Sequence, residues 1–243
     1  MLKTLLHEWL TLGEPAFVDE YVCRFQALDS CAVCCAGSLE GVAEEVIQRE
    51  IDFHQRLEQD FEWTVYGSDQ PSDMLDRLER FGFEIGTKEV VCGLDLTSFS
   101  PPTPSGIRVE RIKSPAMLAD FRTVAEAVFS KDFSYTTGIL AECLAKASTR
   151  QTGFISYDGD TPVSIGRLDK VDGGICAGLY TGGTLKEYRG KGFYRALVWE
   201  RIRYAQELGA KIAWVDAKPT SLPILMRLGF EPLVETWPCE KRF

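Results

Sequence analysis

The sequence predicts an α/β protein with a central sheet flanked by helices. Short apolar segments alternate with longer segments whose apolar residues recur at helical spacing. A glycine-rich, basic loop joins one strand-like run to one long helix. With 243 residues, 45% of them hydrophobic, the chain can bury a core in one large or two small domains.

The net charge of −9 is divided unevenly along the chain. Residues 1–104 carry 7 Lys and Arg against 20 Asp and Glu, whereas the remainder carries 20 against 16. The change coincides with the run Thr97–Gly106, whose proline and serine content is typical of an extended linker. We therefore predict an N-terminal domain at 1–98, a linker at 99–106 and a C-terminal domain at 107–243. The acidic first half argues against nucleic-acid binding, and the basic second half suits a polyanionic ligand.

The second half predicts a defined series of strands and helices. Its long helix begins near Phe193 and stops at Gly209, because apolar residues recur between them at helical spacing. The predicted strands are 107–112, 153–157, 162–168, 175–181 and 212–217, and the predicted helices are 115–128, 137–147 and 193–208. A short helix and a closing strand complete the series.

The loop Tyr188–Arg195 precedes the long helix and combines two glycines with three cations. Unpaired N–H groups and the positive end of the helix dipole gather at such a place, and glycine lets the backbone approach an anion closely. A solvated connection has the same composition, so spacing alone leaves both interpretations open. A nucleotide P-loop is excluded because Lys191 is followed by Gly192 and not by Ser or Thr. A dinucleotide fingerprint fails because position 195 is arginine.

Three segments of the second half resemble the GCN5-related N-acetyltransferase (GNAT) family. The run Arg189-Gly-Lys-Gly192-Phe-Tyr194 resembles the family's Gln/Arg-x-x-Gly-x-Gly/Ala signature, with tyrosine at the last position. Leu208–Asp216 resembles the next strand, and Ser221–Phe230 resembles the last helix with its Gly-Phe ending. The resemblance implies a mixed, mostly antiparallel sheet flanked by helices and an enzyme that uses acetyl-CoA as acyl donor.

The resemblance also implies which residues hold the donor. The strand edge at Gly182, Gly183 and Thr184 would pair with the pantetheine arm. The backbone amides of the loop would hold the pyrophosphate; the loop residues are Arg189, Gly190, Lys191, Gly192, Phe193, Tyr194 and Arg195. The tyrosine at position 194 is compatible with this site if its side chain points away from the loop, and it would crowd the pyrophosphate if it points inward.

The first half contains a partial repeat of the segment order found in the second half. Phe61–Tyr66 leads through a predicted helix at 72–80 to Gly82-Phe83 and a strand, as Ala213–Asp216 leads to Gly229-Phe230. The matching loop region, Gly37–Glu45, has no Lys or Arg and places carboxylates at the start of the next helix. The first half therefore resembles the smaller GNAT-like N-terminal domains, without a cofactor loop, of two-domain bacterial family members.

The cysteines and the N-terminal residues predict the cellular compartment of the protein. No apolar run reaches membrane-spanning length, and residues 1–10 predict a short amphipathic helix and not a signal peptide. Eight cysteines without a secretory signal then indicate reduced thiols in the cytoplasm. The cluster Cys31-x-x-Cys34-Cys35 lacks further zinc ligands; a redox pair stays open, and buried packing in a strand is favoured. We predict no metal site.

The catalytic residues are less defined. Leu225 occupies the place where the family often has a tyrosine acid, and no carboxylate lies between Gly174 and Thr184. Tyr180 and Ser221 are candidates, although the first could pack beside a neighbouring strand and the second could cap a helix. Asp216 could relay a proton or end a strand, and Cys176 lacks a histidine partner.

Two function classes follow. The first is transfer of an acetyl group from acetyl-CoA to a primary amine of a small molecule, an amino acid or a peptide, by direct attack in a ternary complex. The second is an acyl-CoA-binding regulatory or interaction module without turnover. The acceptor and the oligomeric state, with a homodimer as one option, are left open.

Overall fold

A computed structural model of the chain describes residues 15–26, 31–102, 106–170 and 173–243. The amphipathic helix predicted at 1–10 lies outside these residues. Spatial proximity divides the chain into two compact units, the first comprising residues 1–92 and 216–243 and the second residues 93–215. The last 28 residues group with the first unit because its final strand pairs there. The domain limits predicted from the sequence stay a prediction.

The first unit contains a mixed sheet and two helices. Its strands are β1 (Phe17–Val18), β2 (Val22–Gln26), β3 (Cys31–Cys35), β4 (Phe61–Tyr66), β5 (Glu84–Ile85), most of β6 (Glu89–Asp95) and β12 (Glu231–Lys241), and its helices are α1 (Ala43–Arg56) and α2 (Met74–Arg80). The strand order is β1-β2-β3-β4-β12, with β5 pairing β12. Among these pairs β3 and β4 are parallel and the others antiparallel.

The core of the first unit lies between α1 and this sheet. Trp63 and Ile47 are fully buried in it, together with Leu78 from α2. The helix α1 also buries Glu50, whose carboxylate accepts hydrogen bonds from Arg24 on β2 and pairs with Arg49. A buried carboxylate with two guanidinium partners is stable where an unpaired one would not be.

The second unit contains an antiparallel sheet with one parallel pair. Its strands are β7 (Arg108–Arg111), β8 (Gln151–Asp158), β9 (Thr161–Lys170), β10 (Cys176–Thr184) and most of β11 (Ile212–Ala217), and its helices are α3 (Pro115–Phe129), α4 (Ser134–Ala145) and α5 (Phe193–Glu207). The order is β11-β10-β9-β8-β7, and only β10 and β11 are parallel. The predicted mixed, mostly antiparallel sheet is confirmed.

Strand alternation assigns the two faces of this sheet. Ile155 and Ile165 point to α3, where they pack with Phe121. The next residues along β8 and β9 point to α5: the Ser156 hydroxyl donates to the Phe193 carbonyl, and Gly166 lies against Arg201. One face therefore meets α3 and α4, and the other meets α5.

Most predicted elements fall within a few residues of their observed positions. The strands at 61–66 and 212–217 have the predicted limits, and α5 ends one residue earlier than expected. The helix α4 begins at Ser134 instead of residue 137. The strand β10 runs to Thr184 instead of residue 181, because it continues beyond an irregularity that interrupts its pattern.

All eight cysteines are free thiols. Cys31 and Cys34 are buried on β3, as the packing interpretation predicts, and Cys34 lies opposite Cys23 of β2. Within the described residues, no group of three or more His, Cys, Asp and Glu side chains is arranged to hold a metal ion. Over the same residues, no helix combines the length and the apolar character needed to cross a membrane.

His54 on α1 should make the stability of the first unit depend on pH. Its side chain is buried beside Phe61, and neither ring nitrogen has a hydrogen-bond partner. Burial lowers the pKa of His54 from 6.5 to about 4. The unfolded chain therefore takes up a proton before the folded one, and stability that is full above pH 6.5 is lost as the pH falls toward 4, by up to about 3 kcal/mol.

A His54→Phe variant should lose this pH dependence, because the ring remains and the titrating nitrogens do not. Urea unfolding at several pH values checks it. Equal slopes of stability against pH in the two proteins would contradict the prediction.

Candidate functional site

The candidate site is built around the strand β10, where it separates from its neighbour. The ladder between β10 and β11 holds three residue pairs and ends at Gly178 and Trp214, whereas β10 itself continues to Thr184. The residues before Tyr180 and after Gly182 are buried, and the three residues 180–182 are partly exposed. The two strands therefore separate beyond this pair and leave an open strand edge between them.

A β-bulge lies at this opening. Tyr180 pairs with Arg167 and Gly183 pairs with Ile165, so two residues of β10 face one residue of β9. Thr181 adopts a left-handed conformation with φ of 52°, which is unfavourable for a β-branched residue. A Cβ on Gly183 would lie 2.6 Å from Val128 of α3, so only glycine fits there.

The guanidinium of Arg201 holds the bulge from the α5 side. Its Nη1 donates to the carbonyl oxygens of Tyr180 and Arg167, both at 3.2 Å. These carbonyls belong to the pair next to the register shift. Gly166 is opposite the bulge, and a Cβ there would lie 2.8 Å from the Arg201 Cζ. The guanidinium thus supplies donors at the irregular part of the ladder, and glycine lets it reach the strand.

The loop before α5 forms a concave backbone surface. Gly190 and Gly192 have φ of 77° and 94°, and Gly192 is the N-cap of α5. The first hydrogen bond of the helix runs from the Ala196 amide to the Gly192 carbonyl. The amides of residues 193–195 precede the helical ladder, and they present donors at the positive end of the helix dipole. This arrangement fits an anion.

The side chains of the loop divide into two groups. The Lys191 and Arg195 side chains are exposed beside the loop, and the Lys191 amine lies 4.9 Å from the centre of the Tyr188 ring. Arg189 turns back to the strand, where its Nε donates to the Thr184 carbonyl at 3.1 Å. The Phe193 side chain is buried in the core. Phe193 can therefore serve an anion only through its backbone.

Tyr194 points away from the loop. A Cβ on Gly182 would lie 3.0 Å from the Cε2 of Tyr194 and 3.5 Å from its hydroxyl oxygen, so the ring lies under the bulge. The Nη2 of Arg201 lies at the same distance, 3.5 Å, from that Cβ position. Of the two orientations that the sequence left open, the outward one is observed.

The predicted pantetheine edge is only partly open. Gly182 is partly exposed, whereas Gly183 and Thr184 are buried. The Ser164 hydroxyl donates to the Gly183 carbonyl at 2.8 Å, and the Thr184 carbonyl accepts from Arg189. Gly183 and Thr184 also pair with β9.

The predicted catalytic candidates have defined surroundings. Tyr180 packs edge-to-face on Trp214 of the neighbouring strand, with ring centres 5.4 Å apart. The Ser221 hydroxyl does not cap its helix, α6 (Leu222–Arg227), but donates to the Lys218 carbonyl at 3.1 Å. Leu225 is fully buried. Cys176 is buried on β10.

A polar group borders Tyr180 on the α3 side of the sheet. The Arg167 Nε donates to the Asp169 carboxylate at 2.7 Å, and the Arg167 guanidinium lies 5.1 Å from the centre of the Tyr180 ring. The Gln151 amide donates to the other oxygen of Asp169. Burial raises the pKa of Asp169, and Arg167 opposes this shift.

Asp216 lies on β11, two residues after Trp214 and on the same face of that strand. Within the first unit it is close to Glu89 and Glu62. Burial, followed by these two carboxylates, raises the pKa of Asp216 to about 7. A carboxyl group with this pKa exchanges protons near neutral pH.

A model of the acetyltransferase (GNAT) family matches residues 116–230. The matched segment contains the opened strand, the bulge and the amide-rich loop. This chain carries a GNAT acetyltransferase domain. The family uses acetyl-CoA as its acyl donor. A search among curated proteins finds no match.

Solved structures share the fold at low sequence identity. A GCN5-related N-acetyltransferase from Kribbella flavida is 13% identical with a TM-score of 0.72, covering 99% of this chain and 94% of that one. One from Sphaerobacter thermophilus is 14% identical with a TM-score of 0.66, covering 99% and 85%. A tandem GNAT protein from the clavulanic acid biosynthesis pathway is 14% identical with a TM-score of 0.57, covering 90% and 78%.

The sequence missed Arg201 and the pair of Arg167 with Asp169. Arg201 lies four residues after Leu197 and four before Ala205, both buried on the apolar face of α5. An arginine at this spacing among apolar residues of a helix indicates a charge on the buried face, so the sequence contained a signal for it. Arg167 and Asp169 alternate with buried residues on β9, but only the pairing with β10 places them beside Tyr180.

Replacing Gly192 by valine should abolish binding of acetyl-CoA. The residue has φ of 94°, which L side chains rarely adopt, and its Cβ would lie 3.4 Å from Ile107 and 3.6 Å from the Arg195 guanidinium. A Cβ in a left-handed conformation costs about 1–2 kcal/mol and would rearrange the amides. Calorimetry with CoA measures the affinity.

Gly209→Ala is the matched control. Gly209 follows the other end of α5 with φ of 79°, and a Cβ there meets nothing within 4 Å. It should carry a similar backbone strain and keep the affinity for CoA. Unchanged affinity in Gly192→Val would overturn the assignment of the loop.

An Asp216→Asn variant tests the raised pKa. The folded protein keeps this proton up to about pH 7, whereas the unfolded chain loses it near 3.8, so wild-type stability falls as the pH rises through that interval. The variant should be more stable than wild type above pH 7, by on the order of 2–4 kcal/mol, with the difference vanishing near pH 4. Thermal unfolding across this range measures it; a difference independent of pH would contradict it.

Proposed function

We propose that this chain transfers the acetyl group of acetyl-CoA to a primary amine by direct attack in a ternary complex. The observation that carries the proposal is the opened edge of β10 at residues 180–182 beside the loop before α5. The strand edge can pair with an extended ligand, and the amides and cations of the loop suit an anion. An extended acyl-pantetheine arm and a pyrophosphate have that combination of chemistries.

The donor would lie along β10 and end at the loop. The amides of residues 193–195, with Gly190 and Gly192 shaping the backbone, would hold the pyrophosphate. Lys191 and Arg195 are the exposed cations beside them. Arg189 contributes by fixing the strand end through Thr184, and Gly182 offers the open part of the strand edge. The binding energy would come mainly from backbone donors, which explains why Tyr194 is tolerated.

The acceptor would approach from the α3 side of the sheet. Tyr180, Trp214 and Arg167 border the bulge on that side. Gly183 lies directly under Val128 and Phe129, so the end of α3 covers the bulge. The segment 130–135 that follows α3 is a candidate wall for the acceptor. A small molecule, an amino acid or a peptide end would present its amine here.

The chemistry would rest largely on positioning. A neutral amine held beside the thioester carbonyl attacks it directly, and orientation alone supplies a large part of the rate. Tyr180 has a role in shaping this approach, because its ring is fixed by Trp214 and by the Arg167 guanidinium. Ser221 donates to Lys218, which favours a structural role for it.

One observation favours the second function, an acyl-CoA-binding regulatory or interaction module. Leu225 is fully buried at the position where the family often has a tyrosine acid. In that case the chain would bind the donor without turnover. For either function we propose a cytoplasmic location, because all eight cysteines are free thiols. We also propose that the chain binds no nucleic acid. A homodimer is one option for its oligomeric state.

A panel of amines separates the two functions. Thiol release from acetyl-CoA should rise above the no-amine rate with at least one of glucosamine, spermidine, L-lysine or a short peptide, and Gly192→Val should abolish it. Binding of CoA without thiol release from any amine would favour the module. Absence of CoA binding in the wild-type protein would overturn both functions.

A further inference from the structure

Arg201 is a buried cation without a carboxylate partner. Its side chain, on α5, is 1% exposed. It donates to three carbonyl oxygens, those of Leu197, Arg167 and Tyr180. Within residues 15–26, 31–102, 106–170 and 173–243, no Asp or Glu forms an ion pair with it. Carbonyl dipoles solvate the guanidinium only in part, so a negative charge that develops nearby would be stabilised strongly.

The phenol of Tyr194 lies beside this cation. The guanidinium and the phenol contact each other on the α5 side of the sheet, where Arg201 lowers and burial raises the pKa of Tyr194, and burial dominates. The phenol therefore keeps its proton at neutral pH. A phenolate formed there would have the guanidinium as its counterion.

The same phenol borders the opened strand edge. Its hydroxyl oxygen lies 3.5 Å from the position of a Cβ on Gly182, which is one of the three partly exposed residues of β10. Tyr194 is itself partly exposed. The hydroxyl thus lies close both to the buried cation and to Gly182 of the opened strand.

We propose that Tyr194 is the acid that protonates the departing CoA thiolate, with Arg201 as the residue that positions it and stabilises its charge. This inference rests on the proposed acetyl transfer. It places the proton donor on α5, at the last position of the GNAT signature, where Gly or Ala is usual, and not on α6, where Leu225 has no proton to give.

The proposed step balances. The amine nitrogen forms a bond to the thioester carbonyl carbon, and the bond from that carbon to sulfur breaks. The sulfur takes the phenolic proton of Tyr194, which gives free CoA thiol and a phenolate next to Arg201. The nitrogen releases one proton to solvent, and the phenolate regains one from solvent. The products are the N-acetylated amine and CoA, with no other reactant.

The central experiment compares Tyr194→Phe with Tyr204→Phe. Tyr204 lies on the same helix and packs on Phe154 and Arg111, away from β10. With the amine that gives the fastest thiol release, Tyr194→Phe should lower kcat about 100-fold, in the usual range for loss of an acid catalyst. Its affinity for CoA and its KM for acetyl-CoA should stay within about twofold of wild type. Tyr204→Phe should keep the wild-type kcat, the affinity for CoA and the KM for acetyl-CoA.

A second measurement needs no acceptor. The thiol pKa of bound CoA can be followed by the ultraviolet absorbance of the thiolate. A phenol that donates to the sulfur, backed by a cation, should hold this pKa below that of free CoA, and Tyr194→Phe should raise it. Arg201→Lys should raise it partly, because the cation remains while the planar fork that holds the Tyr180 carbonyl is lost. If Tyr194 had a purely structural role, the pKa of the bound CoA thiol would be the same in Tyr194→Phe as in wild type.

The outcomes are distinct. Wild-type protein that binds no CoA would overturn the proposed function and this inference together. Wild-type turnover with an unchanged kcat and an unchanged thiol pKa in Tyr194→Phe would overturn the inference alone. If CoA binds and no amine is acetylated, the thiol titration still decides the role of Tyr194.

Discussion

The site depends on the contact between the Arg201 guanidinium and the bulge in β10. A β-bulge leaves ladder groups without their regular partners, and such groups are costly inside a protein. Here the guanidinium supplies donors to the Tyr180 and Arg167 carbonyls, and Gly166 leaves room for it. Because this contact holds residues 180–182 at the surface of the opening, it governs the strand edge, the phenol of Tyr194 and the packing of Tyr180.

The two units contain a long helix with one buried charged residue each. In the first unit, Glu50 on α1 is neutralised by Arg24 and Arg49. In the second, Arg201 on α5 contacts the Tyr180 and Arg167 carbonyls and the Tyr194 phenol, and no described Asp or Glu forms an ion pair with it. The first turn of α1 also holds Glu44 and Glu45, whereas the loop before α5 holds cations. Electrostatics therefore favours an anionic ligand in the second unit and disfavours it at the start of α1.

The sequence predicted most of the fold and the location of the loop. Helical spacing from Phe193 and the glycine at 209 defined α5, and the glycines at 190 and 192 marked the left-handed positions that its N-terminus requires. These features are local, since each depends on residues within one element or one turn. The limits of β10 were wrong by three residues because a bulge depends on the neighbouring strand and is invisible in a single run of residues.

By itself, the sequence determined the type of protein and the backbone shape of the loop before α5, because backbone conformation near glycine and at a helix start follows from local chemistry. Only the tertiary structure decided which side chains meet at the opened strand. The direction of Tyr194, the burial of Arg201 and the pairing of Arg167 with Asp169 each depend on strands and helices that are distant in the chain. An arginine in an apolar series can pair with a carboxylate, reach solvent or solvate a strand, and packing selects among these by what it leaves within hydrogen-bond distance.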